Sequence, residues 1–86
     1  MGYWNYRILA DVTEAVEGVT EGGVQYYVAE VYYRDDGSIE AWSKSDFNIL
    51  AGWETVDELI DTVAYVYEAR KKLVLRNMGD KLVPWA

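Results

Sequence analysis

The sequence contains no cysteine and no histidine. The first absence excludes disulfides, thiolate zinc sites and cysteine nucleophiles, and says little about compartment. The second removes the commonest general base and metal ligand. Proline occurs once, at Pro84, and no apolar run approaches the length that spans a bilayer. No basic segment leads into an apolar stretch near Met1, so a cytoplasmic protein is expected. There is no glycine-rich phosphate loop, serine-centred elbow or nucleotide fingerprint. Bases are scarce too, eight against 15 acids, for a net charge of −7. The deficit is uneven: residues 1–69 carry −11 and residues 70–86 carry +4. An acidic body of that size repels nucleic acid and is drawn to basic surfaces. The same acidity also serves plain solubility.

What is present is apolar and aromatic. About half of the 86 residues are hydrophobic, enough for one domain, 1–86, with its own core. Tyr3 to Thr13 alternates, with Trp4, Tyr6, Ile8, Ala10 and Val12 on one side, as in a half-buried strand. Glu14 to Gly23 is polar and glycine-rich, a loop. Gln25 to Tyr33 is rich in β-branched and aromatic residues, a second strand. Asp35-Asp36-Gly37-Ser38 is a hairpin turn, and Ile39 to Lys44 a third strand. Ser45 to Glu54 is an apolar connector (Phe47, Ile49, Leu50, Trp53) expected to wrap an edge of the core.

From Thr55 to about Met78, apolar residues recur at helical spacing: Val56, Leu59, Ile60, Val63, Val66, Tyr67 and Leu73. Thr55 and Glu58 form a capping box, Arg70, Lys71, Lys72 and Arg76 crowd the far end, and Gly79 is placed to close the helix. At about 1.5 Å per residue the helix is roughly 35 Å long. The expected fold is α+β: a three-stranded antiparallel β-meander packed on one long C-terminal helix (β-β-β-α). Residues 81–85 add either a short edge strand, where Pro84 is tolerated, or a tail docked by Trp85.

The second strand is apolar on both faces, and one helix covers only one of them. Leftover aromatic surface marks either an interaction site or a sheet face of half-exposed tyrosines with their hydroxyls in water. Tyr27, Tyr33 and Trp42 are the candidate anchors for a partner. In a second reading, Tyr27, Val31 and Tyr33 are buried between two copies of the chain in a sheet-mediated homodimer.

Candidates for chemistry are few. Asp35-Asp36-Gly37 lacks the further ligands of a calcium loop and suffices as a turn. Glu30 sits in mid-strand, where a carboxylate finds a cross-strand cation such as Arg7 or Lys44, or else shifts its pKa. No second acid can be set beside it, so no two-carboxylate mechanism follows. No enzyme activity, cofactor or metal is expected. Glu54, Asp57, Glu58 and Asp61 share one edge of the first helical turns. Helix-dipole complementarity accounts for one or two acids there better than for four. With Asp35, Asp36 and Glu40 they form an expected acidic ridge for a basic protein, with no direct contact to nucleic acid.

Two resemblances follow from these residues. Trp4-Asn5-Tyr6-Arg7-Ile8, Glu30-Val31-Tyr32-Tyr33, Asp36-Gly37, Gly52, Glu54 and Glu58-Leu59 together resemble a group of short bacterial and phage proteins to which no activity attaches. Three strands followed by Gly52, Thr55, Glu58 and Leu59 opening a helix are similar in layout to HicB-type antitoxins. That resemblance implies a partial ribonuclease-H-like fold that neutralises a small basic RNA-cleaving toxin. Either way the expected function is non-enzymatic. The chain would bind and inhibit a basic, nucleic-acid-binding protein, as an antitoxin or a phage anti-defence inhibitor does.

Overall fold

A computed structural model describes residues 2–19, 21–44 and 52–85. Strands β1 (Tyr3–Thr13), β2 (Gly23–Tyr33) and β3 (Ile39–Lys44) come first. Helix α1 (Val56–Tyr67) follows and runs into a 3₁₀ turn (Glu68–Lys71). Strands β4 (Leu75–Asn77) and β5 (Leu82–Pro84) end the described chain. The five strands form one mixed sheet in the order β3-β2-β1-β4-β5.

The meander forms where alternation and turn chemistry put it. β1 and β2 pair antiparallel from Tyr3↔Tyr33 to Thr13↔Gly23. Gly37 takes a positive φ of 88° at the next turn, a backbone that costs glycine little. Asp36 locks that turn by accepting from the Ser38 amide at 2.9 Å and the Ser38 hydroxyl at 2.6 Å. Those two donors hold the Asp36 carboxyl below the ordinary carboxylate range.

The expected fold fails in two places. The helix is neither long nor C-terminal, because α1 has 12 residues and Lys72 is already extended (φ −103°, ψ 153°). And the sheet has five strands rather than three. One cause accounts for both. With β2 on one side, β1 presents a free edge on the other, and β4 fills it in parallel, Leu9↔Leu75 and Ala10↔Arg76. Pairing with a central strand outweighs the helical periodicity of Leu73 to Met78. Gly79 accordingly closes no helix. Its positive φ of 91° serves the β4–β5 turn, where its amide donates to Asn77 Oδ1 at 2.9 Å. Both expectations for the tail hold together: β5 is the outer strand, carrying Pro84, and Trp85 donates from its indole to the Tyr26 hydroxyl at 3.2 Å.

The second sheet face is covered by the sheet itself. The strands curl into a half-barrel whose concave side holds Leu9, Ala29, Val31, Tyr33 and Leu75. Ile39 and Trp42 from β3 and Leu82 from β5 pack on that cluster from the two opposite edges of the sheet. The connector from Ser45 to Glu54 was expected to wrap an edge of the core. Its residues Phe47, Ile49 and Leu50 lie outside the described residues.

The convex face carries Tyr6 and Ala10, buried together with Ala69 from the 3₁₀ turn. α1 lies here on a narrow side only. Leu59, Thr62 and Val66 are half-buried, at the 3-4 spacing of one helical ridge. The rest of the expected apolar stripe faces solvent: Val56 is 67 % exposed, Ile60 57 %, Val63 47 % and Tyr67 59 %. Thr55 caps the helix as read from sequence, its hydroxyl oxygen accepting from the Glu58 amide at 3.1 Å. Among the described residues no helix is long and apolar enough to cross a membrane.

Candidate functional site

Trp4 and Tyr6 are two residues apart on β1, so both project from the convex face. Tyr65 of α1 comes down beside them and donates its hydroxyl to the Trp4 carbonyl at 2.8 Å. That bond fixes the helix against the strand. The three rings stand nearly perpendicular to one another. Trp4 and Tyr6 meet at 83° with centroids 5.2 Å apart, Trp4 and Tyr65 at 84° and 5.2 Å, and Tyr6 and Tyr65 at 73° and 5.4 Å. Edge-to-face contact is the arrangement that ring quadrupoles favour. Together the rings form the corner of a box, and Trp53, Asp61 and Thr62 complete a recess of about 390 Å³.

Among the described residues the recess has one charged wall, Asp61. Thr62 turns its hydroxyl back to the Glu58 carbonyl at 2.9 Å, as helical threonines do. Tyr6 forms the floor, and its phenol is raised above its ordinary pKa. Burial is the larger cause, and the nearby charges of Glu30, Tyr65 and Tyr32 add to it. Glu30 is the cross-strand neighbour of Tyr6 on β2, with Ser43 on its other side. The cations expected for Glu30 are on the other face, since Arg7 and Lys44 both pair in register with Ala29. The recess therefore has aromatic walls, a carboxylate at its mouth and a second carboxylate behind its floor.

The expected acidic residues divide into two groups. Glu54, Asp57, Glu58 and Asp61 are exposed at the start of α1 and meet no cation among the described residues. Asp35 and Asp36 occupy the turn just beyond the Tyr3↔Tyr33 pair, at the Trp4 end of β1, and Glu40 follows on β3. All are exposed.

The expected anchors are elsewhere. Tyr33 is 6 % exposed, stacked on Tyr3 at 4.7 Å, its hydroxyl donating to Asn5 Oδ1 and accepting from Arg7. Trp42 packs against the concave core. Tyr27 does so too, donating to Asp11 at 2.8 Å and accepting from Asn77 at 3.0 Å. Burial is the first cause that raises the Tyr27 pKa; the Asn77 contact opposes it and Asp11 adds to it. Curling of the sheet turns these three inward. The aromatic residues that do reach solvent beside the acids are Trp4, Trp53 and Tyr65. The Trp4/Tyr6 pair was legible as two same-face aromatics on a strand. Tyr65 was not, because it falls outside the apolar helical stripe.

The bases are arranged in the opposite sense. Arg7 donates to the Tyr33 hydroxyl and the Leu73 carbonyl. Arg34 donates to Ser38 and the Ile39 carbonyl. Lys71 pairs with Glu68, and Arg76 with Glu14, both at 3.4 Å. Lys44 and Arg70 stand over the rings of Tyr27 and Tyr67. Compared with known proteins, the chain matches no family model, no curated protein and no solved structure.

Proposed function

We propose that this protein is a non-enzymatic acidic interaction module. It binds a basic, nucleic-acid-binding surface of another protein and keeps nucleic acid off it, as an antitoxin or an anti-defence inhibitor does. One observation carries the reading: most of the bases are engaged by the chain's own groups at the surface, while a run of acids stands exposed with no cation beside it among the described residues. Six of its eight bases are held by the chain's own hydroxyls, carbonyls, carboxylates and rings. Glu40, Glu54, Asp57, Glu58 and Asp61 stand exposed without a cation among the described residues. Such a surface steers association with a basic partner and competes with phosphate for it. The acids around the Trp4 end of β1 are the expected contact region.

The test is a capture experiment with lysate proteins at low and high salt, followed by a mobility-shift assay. The captured protein should release its nucleic acid when this chain is added. The triple reversal Glu54→Lys, Asp57→Lys, Glu58→Lys should lose capture while helix content by circular dichroism persists. Equal capture by the reversed variant would refute the reading.

A second reading, self-association, has support from a different observation. Val31 and Tyr33 have no surface left for a second copy. Val56, Ile60, Val63 and Tyr67, however, are exposed at the 4-3-4 spacing of a helix-pairing seam. An antiparallel pair of α1 helices would set the acidic start of each beside the Arg70, Lys71 and Lys72 end of the other. Sedimentation of wild type and Ile60→Glu separates the cases: a dimer lost in the variant supports this reading, and a wild-type monomer at all concentrations removes it.

A further inference from the structure

We infer that the recess between β1 and α1 is a receptor for a cationic side chain, a lysine or arginine presented by the basic partner. The inference rests on the interaction reading above and names the group that enters the site.

Its walls are the faces and edges of Trp4, Tyr6, Tyr65 and Trp53. An ammonium or guanidinium within about 6 Å of such rings is attracted by their quadrupoles, tryptophan most strongly. Rings set nearly at right angles offer that attraction from more than one direction at once. The volume of about 390 Å³ is enough for the end of one long side chain. Asp61 supplies the charged contact at the mouth, and Glu30 adds negative potential behind Tyr6. Among the described residues no base lines the recess. An anion meets a like charge here, and an aliphatic side chain gains neither the attraction of the ring quadrupoles nor the Asp61 contact. The Tyr65–Trp4 hydrogen bond holds two walls in place before anything enters, so little ordering accompanies binding.

Two other depressions lack these properties. The gap between the β3 and β5 edges is lined by both signs of charge, with Arg34 and Lys81 facing Glu40 and Asp80. The recess in the β1–β2 loop is lined by residues 15–19 and Glu21 and, among the described residues, has no aromatic wall.

The test uses the whole chain and simple probes. N-acetyl-lysine amide and N-acetyl-arginine amide are titrated against the ¹⁵N-labelled protein, with N-acetyl-norleucine amide as the neutral shape control. The cationic probes should shift the indole N–H signals of Trp4 and Trp53 and leave those of Trp42 and Trp85 in place. Norleucine should bind at least fivefold more weakly than lysine. Asp61→Asn should weaken the lysine probe about fivefold, the factor that a partly exposed ion pair supplies. Asp61 is exposed and unpaired, so this variant folds. Trp4→Leu keeps the apolar bulk and should abolish the response. Equal affinity for norleucine, or shifts confined to Trp42 and Trp85, would overturn the assignment. So would a lysine affinity unchanged in Asp61→Asn. Asp61→Asn leaves Glu54, Asp57 and Glu58 in place, so partner capture by the acidic surface should persist in it while binding of the lysine probe drops. Failure of the acidic-surface reading therefore shows in partner capture, and failure of the recess shows in the probe titration.

Discussion

Two apolar truncations that look equivalent in sequence should behave very differently in the folded protein. Leu9 is fully buried, between Tyr27 and Leu75 in the sheet register. Leu9→Ala removes buried methylenes and leaves a cavity, a change that costs about 3 kcal/mol within a range of roughly 2–5. Ile60 belongs to the most periodic stretch of the sequence but is 57 % exposed. Full burial of an isoleucine contributes about 1.5–3 kcal/mol, so the part still covered amounts to roughly 1 kcal/mol. Alanine returns up to about 0.7 kcal/mol through its better helix propensity, and the net cost of Ile60→Ala should be near 0.5 kcal/mol. The assay is urea unfolding followed by circular dichroism. With an m-value of about 1 kcal/mol per molar for a chain of this size, Leu9→Ala should lower the midpoint by roughly 3 M and Ile60→Ala by no more than about 0.5 M. A global stability of about 4–13 kcal/mol makes it possible for Leu9→Ala to unfold the chain outright; Val31→Ala, a smaller excision at another fully buried site, then serves in its place. Equal costs for Ile60 and Leu9 at every protein concentration would refute the packing argument. A cost at Ile60 that grows with concentration would instead support pairing through α1.

Three further outcomes are expected. Thr55→Ala removes the oxygen that accepts from the Glu58 amide and should cost about 1 kcal/mol, read as a lower urea midpoint with the sheet signal unchanged. Gly22→Ala should destabilise more than Gly18→Ala. Both positions have positive φ, but only at Gly22 would a Cβ meet backbone, at 2.8 Å from the Ala15 amide and 2.9 Å from the Thr13 carbonyl; equal thermal shifts would refute this. Stability should fall in alkali. Folding raises the phenol pKa values of Tyr6 and Tyr27, so the native state holds protons that the unfolded chain releases. That contribution is complete below the ordinary tyrosine value near 10 and is lost as pH climbs through the raised native values. Tyr6→Phe should flatten the alkaline limb in thermal melts, and an unchanged limb would show that the Tyr6 phenol is not linked to folding.

The sequence by itself determined the local events. Alternation placed β1 to the residue, and the Asp36-Gly37-Ser38 chemistry placed the β2–β3 hairpin turn and with it the start of β3. Thr55 fixed where the helix starts, because a cap is a contact over three residues. The charge asymmetry was equally plain, since it needs no fold. What only the tertiary structure decided depends on contacts far apart in the chain. Leu73 to Met78 continues a helical pattern, yet Leu75 and Arg76 extend because β1 offers them a free edge more than sixty residues away. The apolar stripe of α1 reads as core. But the sheet curls and buries its concave face within itself, so α1 is left with the narrow ridge of Leu59, Thr62 and Val66 to cover β1. The same curl buries Tyr33 and leaves Tyr27 and Trp42 half-buried against the concave core. It left the exposed aromatic corner to Trp4, Tyr6 and Tyr65, residues from a strand and a helix some sixty positions apart, which only tertiary packing brings together.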